Sequence, residues 1–535
     1  YLPVMAGIPV ESTETSERVL YDLRKTISEL VVDKFYGVLK EEARGKGVEF
    51  SAECVSPTML SDGMLHYKNT DIPMNEYWLQ SPTHDKPNDV LDAISGAHIY
   101  GKNIIQAEAF TQLRMMFDEH PAMVKTLQDR HYALGINRLS YHVYVLNPWL
   151  DRKPGMTLDG IGFLFQRDQT WWKFGRAWTD YAQRCQALLQ YGKPVVDIAV
   201  FTGEELPRRA ILPDRLVPFL PGIFGEAKVQ QERKRLANVG NPTRQMPVGV
   251  THSANITDAS EWVNSLRGYA YDSFNPDVLL NDAKVENGKI VLSSGMTYGA
   301  LIIPGKHPMH PNPERMSVDV EQKINELAEK GAKILIDELP DQTMGRIESS
   351  QKLKWNNTNN FIKLPYTDAT FDKIGIERDF IVTEMRSREY AEDIAYTHRE
   401  GDGVDIYFIS NQKDMNREVE VSLRVNSKVP EIWNPVNGKI SDIGHWLTVG
   451  NRTVFTLNLA PNGSTFIVLR KSSENYKRKQ EKLYKLSTFP IDETPWNVQF
   501  DPQYRGPEKP VLFNELTDWS KHEDEKIRYY SGIAT

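Results

Sequence analysis

Four polar residues stand where short apolar runs end: Glu53 in FSAE, Glu76 in DIPMNEYW, Glu108 in IIQAEAFTQ and His142 in NRLSYHVYV. A carboxylate held at a strand end can act as an acid or a base, because it is ionisable and fixed in place. Glu108 is the sharpest case. It lies between Ala107 and Ala109, whose small side chains leave room for a water molecule. The plain alternative is a structural carboxylate paired with an arginine such as Arg138. One polar residue at a strand end is usually a loop residue, but four in register are harder to dismiss.

The elements that must position them follow from the pattern around them. Residues 16–46 carry Leu20, Leu23, Ile27, Leu30 and Val31 at helical spacing. Strand then helix recurs at roughly 25–35 residues, the period of a (β/α)8 barrel, in which the carboxyl ends of the strands build the active site. About half such a barrel is expected over residues 1–192. From 193 to 370, runs such as VVDIAVFTG and YGALIIPG beside the amphipathic VDVEQKINELAEKGAKILIDE predict an open α/β domain. Short alternating strands with turn signals predict a β-sandwich over 371–473. The remaining 474–535 read as a charged linker and the start of a galactose-binding-like β-sandwich. The fold class is therefore multidomain α/β plus β, and the chain reads as an internal segment of a longer protein.

Composition narrows the chemistry further. At 535 residues the chain exceeds one core. A net charge of −8 argues against a nucleic-acid interface, which needs a basic face. No apolar stretch approaches the ~20 residues of a membrane helix. The two cysteines, Cys54 and Cys185, exclude a disulfide scaffold. The glycines of VLSSGMTYG form no phosphate-cradling fingerprint, no EF-hand loop occurs, and the histidine spacing offers no zinc cluster. With 11 Trp and 23 Tyr, aromatic faces beside carboxylates suit sugar rings. A large aromatic core is the competing explanation.

The run YLPVMAGIPVESTETSERVLYDLRKTISELVVDKFYG, followed by FSAE, DIPMNEYW, AEAFT, GINRLSYHVYVLNPW, PGMTLDGIG and VFTGEELPRR, resembles glycoside hydrolase family 106, the α-L-rhamnosidases. The resemblance runs in order over about the first 280 residues. It implies inverting hydrolysis of terminal α-L-rhamnosides on a (β/α)8 barrel, with calcium in the active site. It makes Glu108 the general base and places the general acid upstream of Tyr1. Glu76 is then the first choice as a calcium ligand and Glu53 the second. The alternative for both is a hydrogen bond to the sugar or to a neighbouring lysine. His142 is expected to hydrogen-bond the sugar, with Tyr144 on the same strand face and Asn147 and Trp149 in the following turn. Tyr77 and Trp78 are candidates for the pocket wall, as is one of Trp171 and Trp172, the other being core. The expected partner is an oligo- or polysaccharide bearing terminal rhamnose, and a polymer-degrading role implies a periplasmic or secreted location. A different barrel glycosidase and a non-catalytic carbohydrate-binding protein remain as alternatives.

Overall fold

A computed structural model describes residues 1–53, 61–79, 87–112, 117–152, 155–163, 165–237, 266–307, 310–346, 349–356, 359–363, 366–473 and 495–535. Cys54 and most of the charged linker lie outside these residues. Strands β1 (Ser51–Glu53), β2 (Ile72–Trp78), β3 (Gln106–Thr111) and β4 (Arg138–Tyr141) form a parallel sheet in their chain order. Parallel neighbours need long crossovers, and the helices Pro87–Ile99 and Pro121–Leu134 supply two of them. The second helix starts on Pro121, where a missing N–H is harmless. It stops at Gly135, whose φ of 132° a side chain would resist.

Register decides what meets what. Glu76 lies beside Glu108, Glu108 beside Ser140, and Glu53 beside Met74. Side chains alternate across a strand, so Glu53, Glu76 and Glu108 share one face of the sheet. Tyr77, Ala107 and Ala109 take the other face and pack against Val90, Ala93, Val124, Tyr132 and Trp178.

A second parallel sheet has five strands: Ile198–Phe201, Tyr271–Phe274, Ala300–Ile303, Lys333–Ile336 and Phe361–Ile362. Numbered along the chain, they lie in the order 2-1-3-4-5. Alternate residues enter different cores. Ala199 and Phe201 meet Leu301 and Ile334 on one side, and Ile198 and Val200 meet Ile302 and Leu335 on the other. Burial on both faces explains the unbroken apolar runs ALII of Ala300–Ile303 and ILI of 334–336.

Two antiparallel sheets, of four and six strands, then enclose a core that includes Phe380, Tyr407, Val419, Phe455 and Ile467. Lys193–Pro194 adds the last strand of the larger sheet by pairing with Arg399 and Glu400. Near the C-terminus Trp496–Val498 pairs with Val511–Phe513 over a small core of Phe500, Phe513 and Ile527. Among the described residues no helix is long and apolar enough to cross a membrane.

The larger sheet holds a buried charge. His398 Nδ1 lies 3.0 Å from Asp379 Oδ1 and its Nε2 lies 3.2 Å from Asp405 Oδ1. Burial alone would lower the proton affinity of the ring, but the charge of Asp379 and hydrogen bonds to both aspartates outweigh it and raise the pKa to about 9. The folded pKa thus exceeds the ordinary value near ~6.5. The stabilisation is complete below that value and is lost as pH rises through about 9. Urea unfolding should show stability falling between pH 7 and 10 by on the order of 3 kcal/mol. In a His398→Gln variant that decline should be largely absent.

Candidate active site

Glu108 owes its setting to an irregularity in β3. The pairing of β2 with β3 shifts between Tyr77 and Trp78, so that Trp78 meets Thr111. Within the shift Phe110 adopts φ 70°. A bulge of this kind bends a strand and re-aims its side chains. Both Ala109 and Phe110 are thereby buried on the helix side, where Phe110 meets Tyr77, Phe163 and Trp178. Thr111 returns to the Glu108 face, and its Oγ1 donates to Glu108 Oε1 at 3.0 Å. In a regular strand two residues three apart point to opposite faces, so the bulge makes this bond possible.

Glu108 is 25% exposed and His142 20%. His142 Nδ1 stands 3.8 Å from Glu108 Oε1, beyond hydrogen-bond reach, and is buried with no hydrogen-bond partner. Here the strand expected to run through Val145 ends early, at Tyr141. The backbone leaves the sheet to pair with a returning segment: Phe163 N–H donates to His142 O at 2.7 Å and Val143 N–H to Phe163 O at 2.8 Å. Gly162 lets that segment close in, because a Cβ there would lie 3.0 Å from His142 Nδ1.

The three carboxylates sense one another. Burial first, then the charges of Glu108, Glu76 and Asp89, raise the Glu53 pKa to about 7. Its Oε2 is buried and has no hydrogen-bond partner. Crowded anionic oxygens of this kind are the donors a hard cation such as calcium takes. Among the described residues, however, no three His, Cys, Asp or Glu side chains are gathered as a ready ligand cluster. Any cation held here would complete its shell with water or substrate oxygens.

The remaining candidates divide. Trp78 is half-buried on the Glu76 face. Tyr77 corrects an expectation: it is fully buried on the opposite face, with its ring stacked 3.8 Å from that of His131, and lines no cleft with Glu76. Adjacent strand residues cannot both face the sugar. Asn147 is also turned inward. Its Nδ2 donates to Gln166 Oε1 at 3.1 Å and Asp168 Oδ2 at 3.3 Å, which ties the loop to itself. Tyr144 and Trp149 are exposed, at 57% and 46%. Trp171 packs on the core and donates Nε1–H to Glu119 O at 2.9 Å, while Trp172 lies against Phe165 and 6.5 Å from the Tyr144 ring.

Two arginines of VFTGEELPRR tie the second parallel sheet to this one. Arg208 Nε donates to Asp62 Oδ2 at 2.8 Å. Arg209 is enclosed by Asp89 and Asp92 of the helix that follows β2. Asp89, whose charge reaches Glu53, and Thr111 carry no functional signal in the sequence. Both act through partners that only the folded chain brings near.

The chain matches the sequence pattern of glycoside hydrolase family 106, described as alpha-L-rhamnosidase, over residues 1–226 and 250–446. It belongs to that family. The family 106 chain is 32% identical over 486 residues to a Formosa agariphila protein named "Putative beta-glucuronidase", across 89% of this chain and 36% of the relative. It also resembles the solved rhamnosidase of Novosphingobium sp. PP1Y, with 25% identity and a TM-score of 0.78, across 100% of this chain and 47% of that one. The family 106 chain thus spans less than half the length of either.

The crowding of Glu53 predicts a direct observable. Carbon-13 NMR of labelled glutamate should show the Glu53 carboxyl titrating near pH 7, and the midpoint should fall toward the ordinary range in a Glu108→Gln variant, because a neighbouring like charge is gone. An unmoved midpoint would separate the two carboxylates.

Proposed function

We propose that the chain forms part of an inverting glycoside hydrolase that releases terminal α-L-rhamnose from oligo- or polysaccharides, with Glu108 as general base. In this reading β1–β4 are half of a (β/α)8 barrel and their carboxyl ends face the sugar. The observation that carries it is the setting of Glu108: a carboxylate in β3 just before its bulge, oriented by Thr111 and flanked by Glu76 and His142. Thr111 engages Oε1, so Oε2 is the oxygen that takes a proton from the attacking water. The hydroxide that forms adds to the anomeric carbon on the face opposite the leaving group, which inverts the configuration.

Inversion needs two carboxyl groups about 6.5–9.5 Å apart, to admit that water. Register-matched residues on neighbouring strands lie about 4.8 Å apart, so Glu76 is not given the role of the acid. No residue of this chain is assigned to it. Glu76 and Glu53 would instead hold a calcium ion, which supplies an electrostatic anchor for the sugar's cis hydroxyls. His142 would hydrogen-bond the sugar, and Trp78, Tyr144 and Trp149 would contribute apolar walls. A periplasmic or secreted location accords with a polymeric substrate.

A glucuronidase reading follows the name of the Formosa relative. The match to the alpha-L-rhamnosidase family pattern over most of the chain favours the rhamnoside reading.

In the full-length enzyme, Glu108→Gln should lower turnover of an aryl α-L-rhamnoside by at least ~10²-fold, the low end for loss of a general base. Proton NMR of the first-formed sugar should show the inverted anomer; retention would sink the mechanism. A chelator should abolish activity and added calcium restore it, and indifference to the chelator would remove the cation.

A further inference from the structure

A second concave site is lined by none of the residues assigned above. In an open parallel sheet of order 2-1-3-4-5, the connections on either side of the first strand leave toward opposite faces. They open a crevice beyond the carboxyl ends of strands one and three. In this chain those ends are Phe201 and Ile303, and both line a cavity of about 1110 Å³.

The cavity contains two buried histidines. His307 and His310 are 5% and 6% exposed. Both ring nitrogens of His307 and Nδ1 of His310 lack any hydrogen-bond partner. Buried polar atoms are normally satisfied, so three unsatisfied nitrogens on two residues that line one cavity mark a place for a ligand. The fold makes room for them: Gly203 has φ 78°, and a Cβ there would lie 2.7 Å from His310 Nδ1. Burial pushes His310 down to about 4 and His307 well below its ordinary value, which leaves both rings neutral near pH 7. A neutral imidazole offers one donor and one acceptor, the pair that a hydroxyl can complete.

The surroundings narrow the ligand class. Five carboxylates line the cavity against three cationic side chains, which disfavours phosphates and other anions. The loop after the first strand reads TGEE and has no glycine-rich cradle. Phe219, Pro218, Pro304 and Leu339 supply an apolar wall of the kind that stacks on the C–H face of a sugar. No third His, Cys, Asp or Glu among the described residues completes a metal cluster with the two histidines.

We propose that this crevice is a second, non-catalytic carbohydrate site that binds a neutral sugar, with hydroxyls on His307 and His310 and a ring face on Phe219. It stands apart from the assignment of Glu108, so either can fail alone.

The test uses the chain carrying Glu108→Gln, with nitrogen-15-labelled histidine. L-rhamnose, D-galactose and D-glucose are titrated while the ring signals of His307 and His310 are followed. At least one sugar should shift both signals, and Phe219→Ala, which keeps both histidines, should weaken that binding by at least ~10-fold. His307→Ala should do the same, with circular dichroism checking that the variant folds. Ring signals unmoved by all three sugars would overturn the proposal, as would a response to zinc alone. Binding unchanged by Phe219→Ala would also overturn it.

Discussion

Arg209 is enclosed between Asp89 and Asp92, and none of the three side chains is more than 3% exposed. Burying three charges is expensive, and their mutual attraction offsets this only when hydrogen bonds complete the set. Here Ala210 N–H adds one to Asp92. Even so, burial leaves the Asp92 pKa raised to about 7. An arrangement of this kind contributes little net stability, but losing one partner strands the others at about 3–5 kcal/mol. Its physical effect is orientation. It ties the loop after Ile198–Phe201 to the helix after β2 and so joins the two parallel sheets. Asp89 also reaches Glu53 electrostatically, so the group that docks the sheets also bears on the candidate site.

The site itself depends on a conflict resolved by one bulge. The core needs a large aromatic between Tyr77 and Trp178, and Phe110 supplies it. Strict alternation would instead put Phe110 on the face of Glu108. The positive φ of Phe110 turns the ring into the core and brings Thr111 round to Glu108. The packing of Phe110 and the hydrogen bond from Thr111 to Glu108 thus arise from the same backbone distortion. The neighbouring strand contributes through register, since ladder pairing places Glu76 beside Glu108.

The two parallel sheets follow the same rule with different outcomes. The first sheet carries the crowded carboxylates around Glu53, and in the second the ends of strands one and three line a cavity with two neutral histidines. The loop TGEELPRR runs between them: Gly203 and Glu204 line the crevice, and Arg208 and Arg209 grip the first sheet. Glu204 is also committed to structure, since its Oε2 accepts from Ser317 N–H at 2.7 Å and caps the start of Val318–Glu329.

Much of this architecture was legible in the chain. The strand–helix period announced parallel strands, runs such as VVDIAVFTG and YGALIIPG announced an open α/β domain, and Glu108 stood out as a carboxylate following an apolar run, although its strand continues to Thr111. Alternation along DIPMNEYW sets Glu76 and Tyr77 on opposite faces, so the burial of Tyr77 is legible in the pattern too. What sequence by itself determined is local: which residues are apolar, at what period, and so which face each strand or helix buries. Register, the bulge at Phe110, the partners of Arg209 and the meeting of His310 with Gly203 were decided by the tertiary structure. Those features arise from hydrogen bonds and packing between segments far apart in the chain, and a local period carries no record of which distant segment lies beside it.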